Sequence, residues 1–468
     1  MRKTTGWLVS VAVLAGTATV GGAATGVAQA QEQDIAERIA AIPGMTLIEE
    51  KPAANGDRFL LLSFEQPVDH RRPGSGTFEQ RISVLHTGED RPTVFHTNGY
   101  WLNPNPAYSE PTQLLDANEV GLEHRFFGES VPEVEDWTHL DIYQAASDQH
   151  RVHEALSAIY DENWISHGRS KGGMTAAYYR YYYPEDMDGT VAYVAPSSTD
   201  REDTAPYDAF LSSVGTEECR SALEDVEREL LLRRDEMVPL HEAWAEEVGA
   251  TFTNVGGVEQ SFEVGPLNLR WTFWQYYGSA EDCAAVPEPT ASTQELYDYV
   301  DQMVGWGADH ELAATVPYYY QAATQLGNPL YSTGHIDDLL EYPELKYSGA
   351  FVPPEIELPA FDNRAMTWVD GWVTHLGTEM LFVDGEADPW SAKPFTADSA
   401  DRETYRLVAP GANHSAGISL LGAADRDLAV ESVRAWAGLP AEAQSRAAAG
   451  NAYDPALDHP EPRELLHP

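Results

Sequence analysis

Trp164-Ile165-Ser166-His167-Gly168-Arg169-Ser170-Lys171-Gly172-Gly173-Met174 is the stretch on which the reading of this chain turns. An apolar run enters Gly-x-Ser-x-Gly, and Thr175-Ala176-Ala177-Tyr178-Tyr179 continues as a helix would. A serine so placed between strand and helix matches the nucleophile-elbow pattern. The turn is tight enough to hold the serine at a strained backbone angle. The glycines two positions before and after it let strand and helix approach each other. The hydroxyl then stands over a helix N-terminus, which favours developing negative charge. An ordinary Gly-rich turn has the same five residues, so the pattern needs partners elsewhere in the chain.

Strand-like runs surround it. Phe59–Phe64 and Phe78–Leu85 read as two strands split by the turn-rich Pro67–Gly76. Pro92–Thr97 and Glu119–Arg125 follow, then helical spacing from Leu140 to Tyr160, then the elbow and a strand at Gly189–Ala195. Strand and helix in alternation predict βαβ units and a parallel sheet, with the early strands as an antiparallel edge. Residues 197–360 break this rhythm with helix formers, acids and aromatic clusters such as Trp271, Phe273, Trp274 and Tyr318-Tyr319-Tyr320. They read as a mostly helical cap inserted into the sheet domain. Its aromatics suit core packing first, and a hydrophobic pocket over the serine second. The rhythm returns with a helix near Arg364–Leu376, strands Met380–Val383 and Tyr405–Val408, and a last helix near Leu421–Ala437. The expected division is therefore 31–196 and 361–438 for the two parts of an α/β core, 197–360 for the cap, and 439–468 for a loose Ala- and Pro-rich tail.

The 468 residues carry a formal charge of −46, which argues against nucleic acid or an anionic membrane as partner. A solvated acidic shell is the simpler reading of that charge. Residues 1–30 begin with Arg2 and Lys3, continue with a short apolar run and end at Ala28-Gln29-Ala30. These features are expected of a secretory signal peptide cut after Ala30, which implies a secreted protein with no membrane attachment after cleavage; an uncleaved membrane anchor is the alternative, and the short, glycine-broken run counts against it. Cys219 and Cys283 are the only two cysteines. In an exported chain they read as one disulfide, closing a loop of about 64 residues for roughly 4 kcal/mol.

A serine hydroxyl needs an imidazole to take its proton, and the imidazole needs a carboxylate to fix its tautomer. In α/β-hydrolases these follow the serine in the order acid, then base, on loops after later strands. Met380–Val383 leads into Asp384-Gly385-Glu386-Ala387-Asp388-Pro389-Trp390. Asp388 lies beyond the strand end in a turn set by Pro389 and is the expected acid, with Asp384 and Glu386 as competitors. Tyr405–Val408 leads into Ala409-Pro410-Gly411-Ala412-Asn413-His414, and His414 is the expected base. His96, His124 and His167 precede the serine and suit the site wall better. The oxyanion requires two backbone N–H donors. Lys171 supplies one, and Tyr100, after Asn98-Gly99, is expected to supply the other. No phosphate loop, metal cluster or dinucleotide fingerprint is found, so no metal or other cofactor is expected.

These residues together resemble a known family, the secreted prolyl tri/tetrapeptidyl aminopeptidases. The resemblance rests on Ser170-Lys171-Gly172-Gly173-Met174-Thr175 and on Gly385-Glu386-Ala387-Asp388-Pro389-Trp390-Ser391. Glu123-His124-Arg125-Phe126-Phe127-Gly128-Glu129-Ser130, Gln66–His70 and Phe78–Arg81 are similar to the related lysosomal Pro-X carboxypeptidase and dipeptidyl peptidase group. Arg169 departs from the family, which often has glycine there. The resemblance implies an α/β-hydrolase core under a helical cap. It also implies a serine exopeptidase that releases short peptides from free N-termini by cutting after proline. Such a substrate needs an acidic anchor and an apolar slot. Glu123 is a candidate anchor, although a structural salt bridge to Arg125 or another base suits it better, and Trp271 and Trp274 are candidates for the slot. An esterase or lipase with the same triad, and a catalytically silent binding protein on this scaffold, are the alternatives. The absence of an HGGG-type loop counts against the first, and the intact Ser170, Asp388 and His414 against the second.

Overall fold

The computed structural model describes residues 33–200, 203–440 and 453–460. The expected signal peptide, 1–30, lies outside the described residues. Among the described residues nine strands form one sheet: β1 Met45–Pro52, β2 Arg58–Pro67, β3 Thr77–His86, β4 Thr93–Thr97, β5 Asn118–Leu122, β6 Trp164–Arg169, β7 Gly189–Tyr193, β8 Met380–Gly385 and β9 Thr404–Ala409. Their spatial order is β1-β2-β3-β5-β4-β6-β7-β8-β9. Links from β1 through β3 to β5 are antiparallel, and every link from β5 to β9 is parallel. The fold is thus α/β with a mostly parallel sheet. The antiparallel edge is longer than the sequence reading had it. Ahead of Phe59, where the sequence reading places no strand, lie the short helix Ile35–Ala40 and the whole of β1.

Burial explains the strand sequences. β4, β5 and β7 are buried at every position, as parallel strands covered on both faces must be. On one face Leu60, Ile82, Phe95 and Phe382 pack under the helices Ile142–Leu156, Lys171–Tyr182 and Arg364–His375. On the other, Val94, Ile165, Val191, Leu381 and Val383 pack with the helix Ala423–Trp436. Each such side chain taken from water contributes about 1.5–3 kcal/mol.

Between β7 and β8 the chain leaves the sheet and runs through helices that include Glu217–Leu232, Arg234–Val248, Val258–Tyr276 and Thr293–Met303. They enclose a core of their own, with Leu230, Phe262, Trp274, Val300 and Trp306 buried in it. Cys219 and Cys283 are joined there, with Cα atoms 5.3 Å apart.

Two differences from the sequence reading have a common cause in buried charge. β5 stops at Leu122 rather than Arg125. Glu123 and Arg125 turn inward to polar partners, and the ladder ends. The second concerns 439–468, expected as a loose tail. Within it Tyr453–Pro460 lies on the core: Leu457 O accepts from Tyr108 N at 2.7 Å, and His459 Nε2 meets Glu119 Oε1 at 2.6 Å. The His459 ring stacks on His96, with centroids 4.1 Å apart. Burial pushes the Glu119 carboxyl up, yet the His459 charge beside it wins and holds it well below the usual range. A buried carboxylate requires such a partner, and the tail supplies it.

Candidate active site

Ser170 sits between β6 and the helix Lys171–Tyr182 at φ 55°, ψ −123°. Its N–H is held by Tyr193 O at 2.8 Å. A non-glycine residue at this angle is strained, and the surroundings show why the chain tolerates nothing looser. A Cβ on Gly168 would lie 2.3 Å from the Gly172 carbonyl, and one on Gly172 would lie 2.1 Å from Thr97 O. Both positions require glycine for close approach of backbone to backbone.

Asp388 is fully buried in the turn after β8. Its Oδ1 accepts from His414 Nδ1 at 2.9 Å and from Trp390 N at 3.2 Å, while Oδ2 accepts from Ser391 Oγ at 2.7 Å. This leaves Nε2 as the ring nitrogen available for proton transfer. The competing acids are spent elsewhere. Asp384 Oδ2 accepts from Arg406 Nε at 2.6 Å, and burial raises its carboxyl to about 6 against that cation. Glu386 Oε2 accepts from Gly411 N at 2.7 Å.

Arg169 joins the two halves. Its Nη1 donates to His414 O at 3.0 Å and to Ala416 O at 2.9 Å. The residue before the serine thereby ties the loop of the imidazole to the elbow. The sequence marked Arg169 only as a departure from the family pattern. Nothing in its position along the chain pointed to a partner 245 residues away.

Ser170, Lys171, Met174, Tyr100, Tyr318 and Trp390 line one cleft. The N–H of Lys171 is the first of its helix and has no partner within it. The N–H of Tyr100, the expected second oxyanion donor, instead donates to Asn98 Oδ1 at 2.8 Å. Asn side chains form this local turn readily, and here it takes the donor. What Tyr100 adds to the cleft is its side chain, 5.9 Å from the Tyr318 ring. The side chain of Lys171 was missed by sequence reasoning. It is buried, donates to Gly99 O, and lies 5.2 Å from the Tyr100 ring and 4.9 Å from Phe127. Burial without a carboxylate pushes its ammonium well below the ordinary lysine range.

The other sequence candidates divide. Trp271 lines a second cavity of about 290 Å³ and meets Trp390 edge-on at 5.2 Å. Trp274 does not line either cavity. It is 1% exposed and covers Gly215, whose Cβ would lie 2.2 Å from its ring. It belongs to the helical core, because its side of the helix faces inward. Glu123 lines neither cavity, and it has no salt bridge to Arg125. Its oxygens accept from Leu102 N, Glu129 N and Ser130 Oγ at 3.0, 3.0 and 2.6 Å. Arg125 instead makes a two-pronged pair with Asp148, at 2.7 Å for each bond. Three local donors satisfy Glu123, and the fork of Arg125 matches a different carboxylate.

His96, His124 and His167 are buried and line neither cavity. His167 Nδ1 donates to Val191 O at 2.9 Å, and burial lowers its pKa from 6.5 to about 4. A histidine lowered in this way stabilises the fold above its unfolded pKa, and that stability is lost as pH falls from 6.5 through 4. Asp384, raised to about 6, acts in the opposite direction between 3.8 and 6. In His167→Asn, which keeps a donor and does not titrate, the loss of unfolding free energy on acidification should be shallower by up to ~1.4 kcal/mol per pH unit. Urea unfolding at pH 7, 6, 5 and 4.5 measures this, and an unchanged slope would refute the buried neutral imidazole.

Among curated proteins, the chain is 46% identical over 449 residues to the prolyl tri/tetrapeptidyl aminopeptidase of Streptomyces mobaraensis, covering 95% of this chain and 94% of that one. It is 23% identical over 423 residues to the lysosomal Pro-X carboxypeptidase of Bos taurus, covering 76% and 82%. Among solved structures, the proline iminopeptidase of Mycobacterium smegmatis aligns at a TM-score of 0.40 and 15% identity, covering 80% of this chain and 98% of that one. The profile of PS-10 peptidase S37 matches residues 28–461, nearly the whole length, and the chain belongs to that family of serine peptidases.

Proposed function

We propose that this protein is a secreted serine aminopeptidase that releases tri- and tetrapeptides from free N-termini by cutting after proline. The likeness to the S. mobaraensis enzyme across almost the entire chain carries this reading. The site geometry supports the chemistry. Ser170 Oγ attacks the proline carbonyl carbon, and His414 Nε2 takes the hydroxyl proton. Asp388, bonded to Nδ1, keeps that proton acceptor in the right tautomer and stabilises the imidazolium. The Lys171 N–H faces the oxyanion. His414 returns the proton to the leaving amine as the C–N bond breaks, leaving the peptide esterified to Ser170. Water, deprotonated by His414, then hydrolyses the ester. Arg169 positions the His414 loop for both transfers. Export is supported by the signal-like residues 1–30 and by the Cys219–Cys283 disulfide. Among the described residues no helix is long and apolar enough to cross a membrane.

The test sets Ala-Ala-Pro-anilide against a short acyl ester, with mass analysis of products from longer peptides carrying proline at the third or fourth position. Cleavage after that proline from the free N-terminus is expected. Activity on the ester alone would favour an esterase, and no activity with no fluorophosphonate labelling would favour a silent binder.

A further inference from the structure

The 290 Å³ cavity adjoins the serine cleft, because Tyr318 and Trp390 line both. One wall is a single face of the helix Val258–Tyr276: Val264, Leu267, Asn268, Trp271, Thr272 and Gln275. At 1.5 Å per residue this face is about 16 Å long. Its C-terminal end abuts the candidate base, since Gln275 O accepts from His414 N at 3.1 Å. Its other end meets Gly307, whose Cβ would lie 3.3 Å from Val264. The facing wall runs with the same sense. It starts at Glu311, passes Thr315 and reaches Tyr318 at the cleft. Three to four extended residues span about 10–14 Å. A peptide acylating Ser170 therefore brings its N-terminus to the end where Glu311 lies.

The chemistry of that end is specific. Among the described residues lining the cavity, Glu311 is the one carboxylate. Its Oε2 accepts from Trp306 N at 3.2 Å and Ala308 N at 2.9 Å, so the backbone fixes it. Among the described residues no basic side chain lies within 4 Å of it. Lys346, the other charged lining group, is paired with Asp337 at 3.2 Å. Much of the remaining wall is aromatic and apolar: Trp271, Tyr319, Tyr331, Phe351 and Leu330. A fixed anion with no cation in such surroundings gains most from a primary ammonium.

We infer that Glu311 receives the substrate's α-ammonium, and that the length of this cavity from the serine cleft to Glu311 counts the residues released. The inference rests on the aminopeptidase reading and supplies the anchor that Glu123 does not.

The experiment compares wild type, Glu311→Gln and Glu311→Asp on Ala-Ala-Pro-anilide, its N-acetyl counterpart and a short acyl ester. Gln keeps an oxygen acceptor for Trp306 and Ala308 but carries no charge. In Glu311→Gln, kcat/KM on the free-amine anilide should fall about 100-fold, chiefly through KM. The acetylated anilide and the ester should change less than about 3-fold, so that the preference for a free amine disappears. Glu311→Asp, which retains the charge, should retain a preference for the free amine; a merely structural role would not restore it. A Gln variant that still prefers the free amine overturns the anchor alone. A wild-type enzyme that cuts the ester but neither anilide overturns the aminopeptidase reading, and the anchor with it.

Discussion

Ser170→Ala is expected to lower kcat on Ala-Ala-Pro-anilide by roughly 10⁶-fold, with KM almost unchanged. In the proposed mechanism the serine alone bears the oxygen that bonds to the proline carbonyl, and neither His414 nor Asp388 acts without it. What remains is substrate binding and the Lys171 N–H, worth roughly 10³-fold over water. The fold should survive the change. Serine and alanine both carry a Cβ, so the φ of 55° strains them equally, and the bond from the Ser170 N–H to Tyr193 O is backbone. The thermal midpoint should therefore match wild type within about 2 °C. Stopped-time product assays and a thermal melt measure the two quantities. Retention of more than a hundredth of the activity would place the nucleophile elsewhere.

Asp388→Asn should reduce kcat by about 10⁴-fold. The carboxylate accepts the Nδ1 proton of His414 at 2.9 Å, which leaves Nε2 bare. An amide in its place can turn its NH₂ toward Nδ1. The ring then carries its proton on Nε2, where it can no longer take one from Ser170. With the NH₂ at the Oδ1 position, the amide oxygen takes the Oδ2 position and still accepts from Ser391 Oγ, while Trp390 N loses its acceptor. Glu386→Gln is the control. Its oxygen still accepts from Gly411 N, it does not touch the imidazole, and activity should stay within about 2-fold. Equal loss in the two variants would remove Asp388 from the role given to it.

Local pattern made much of this architecture readable. The elbow is written in glycine spacing, since backbone contact at Gly168 and Gly172 excludes any side chain. Asp388 and His414 each follow an apolar run at a strand's end, and chain order distinguishes them from other acids and histidines. Choices among long-range partners were not readable. Arg125 sits two residues from Glu123, yet its fork meets Asp148 on a helix 23 residues later. Trp271 and Trp274 are three residues apart on one helix, and only the packing around Gly215 shows that one lines a cavity while the other fills a core. The Tyr100 N–H was lost to an interaction two residues back, where a side-chain acceptor competed with the role assigned to the loop. His459 stands in a stretch whose composition resembles a tail, and only the buried Glu119 and the His96 ring reveal why it docks. Glu311 has no motif at all. It becomes visible only when two walls of a cavity are followed to their common end.

The most direct measurement traps the intermediate. The protein is mixed with an activated ester of Ala-Ala-Pro, quenched in acid within its first turnover, digested, and its peptides weighed. One adduct with the mass of the tripeptidyl acyl group is expected on the peptide containing Ser170, and none in Ser170→Ala. An adduct on any other residue, or rapid turnover with no adduct at all, would contradict Ser170 as the nucleophile.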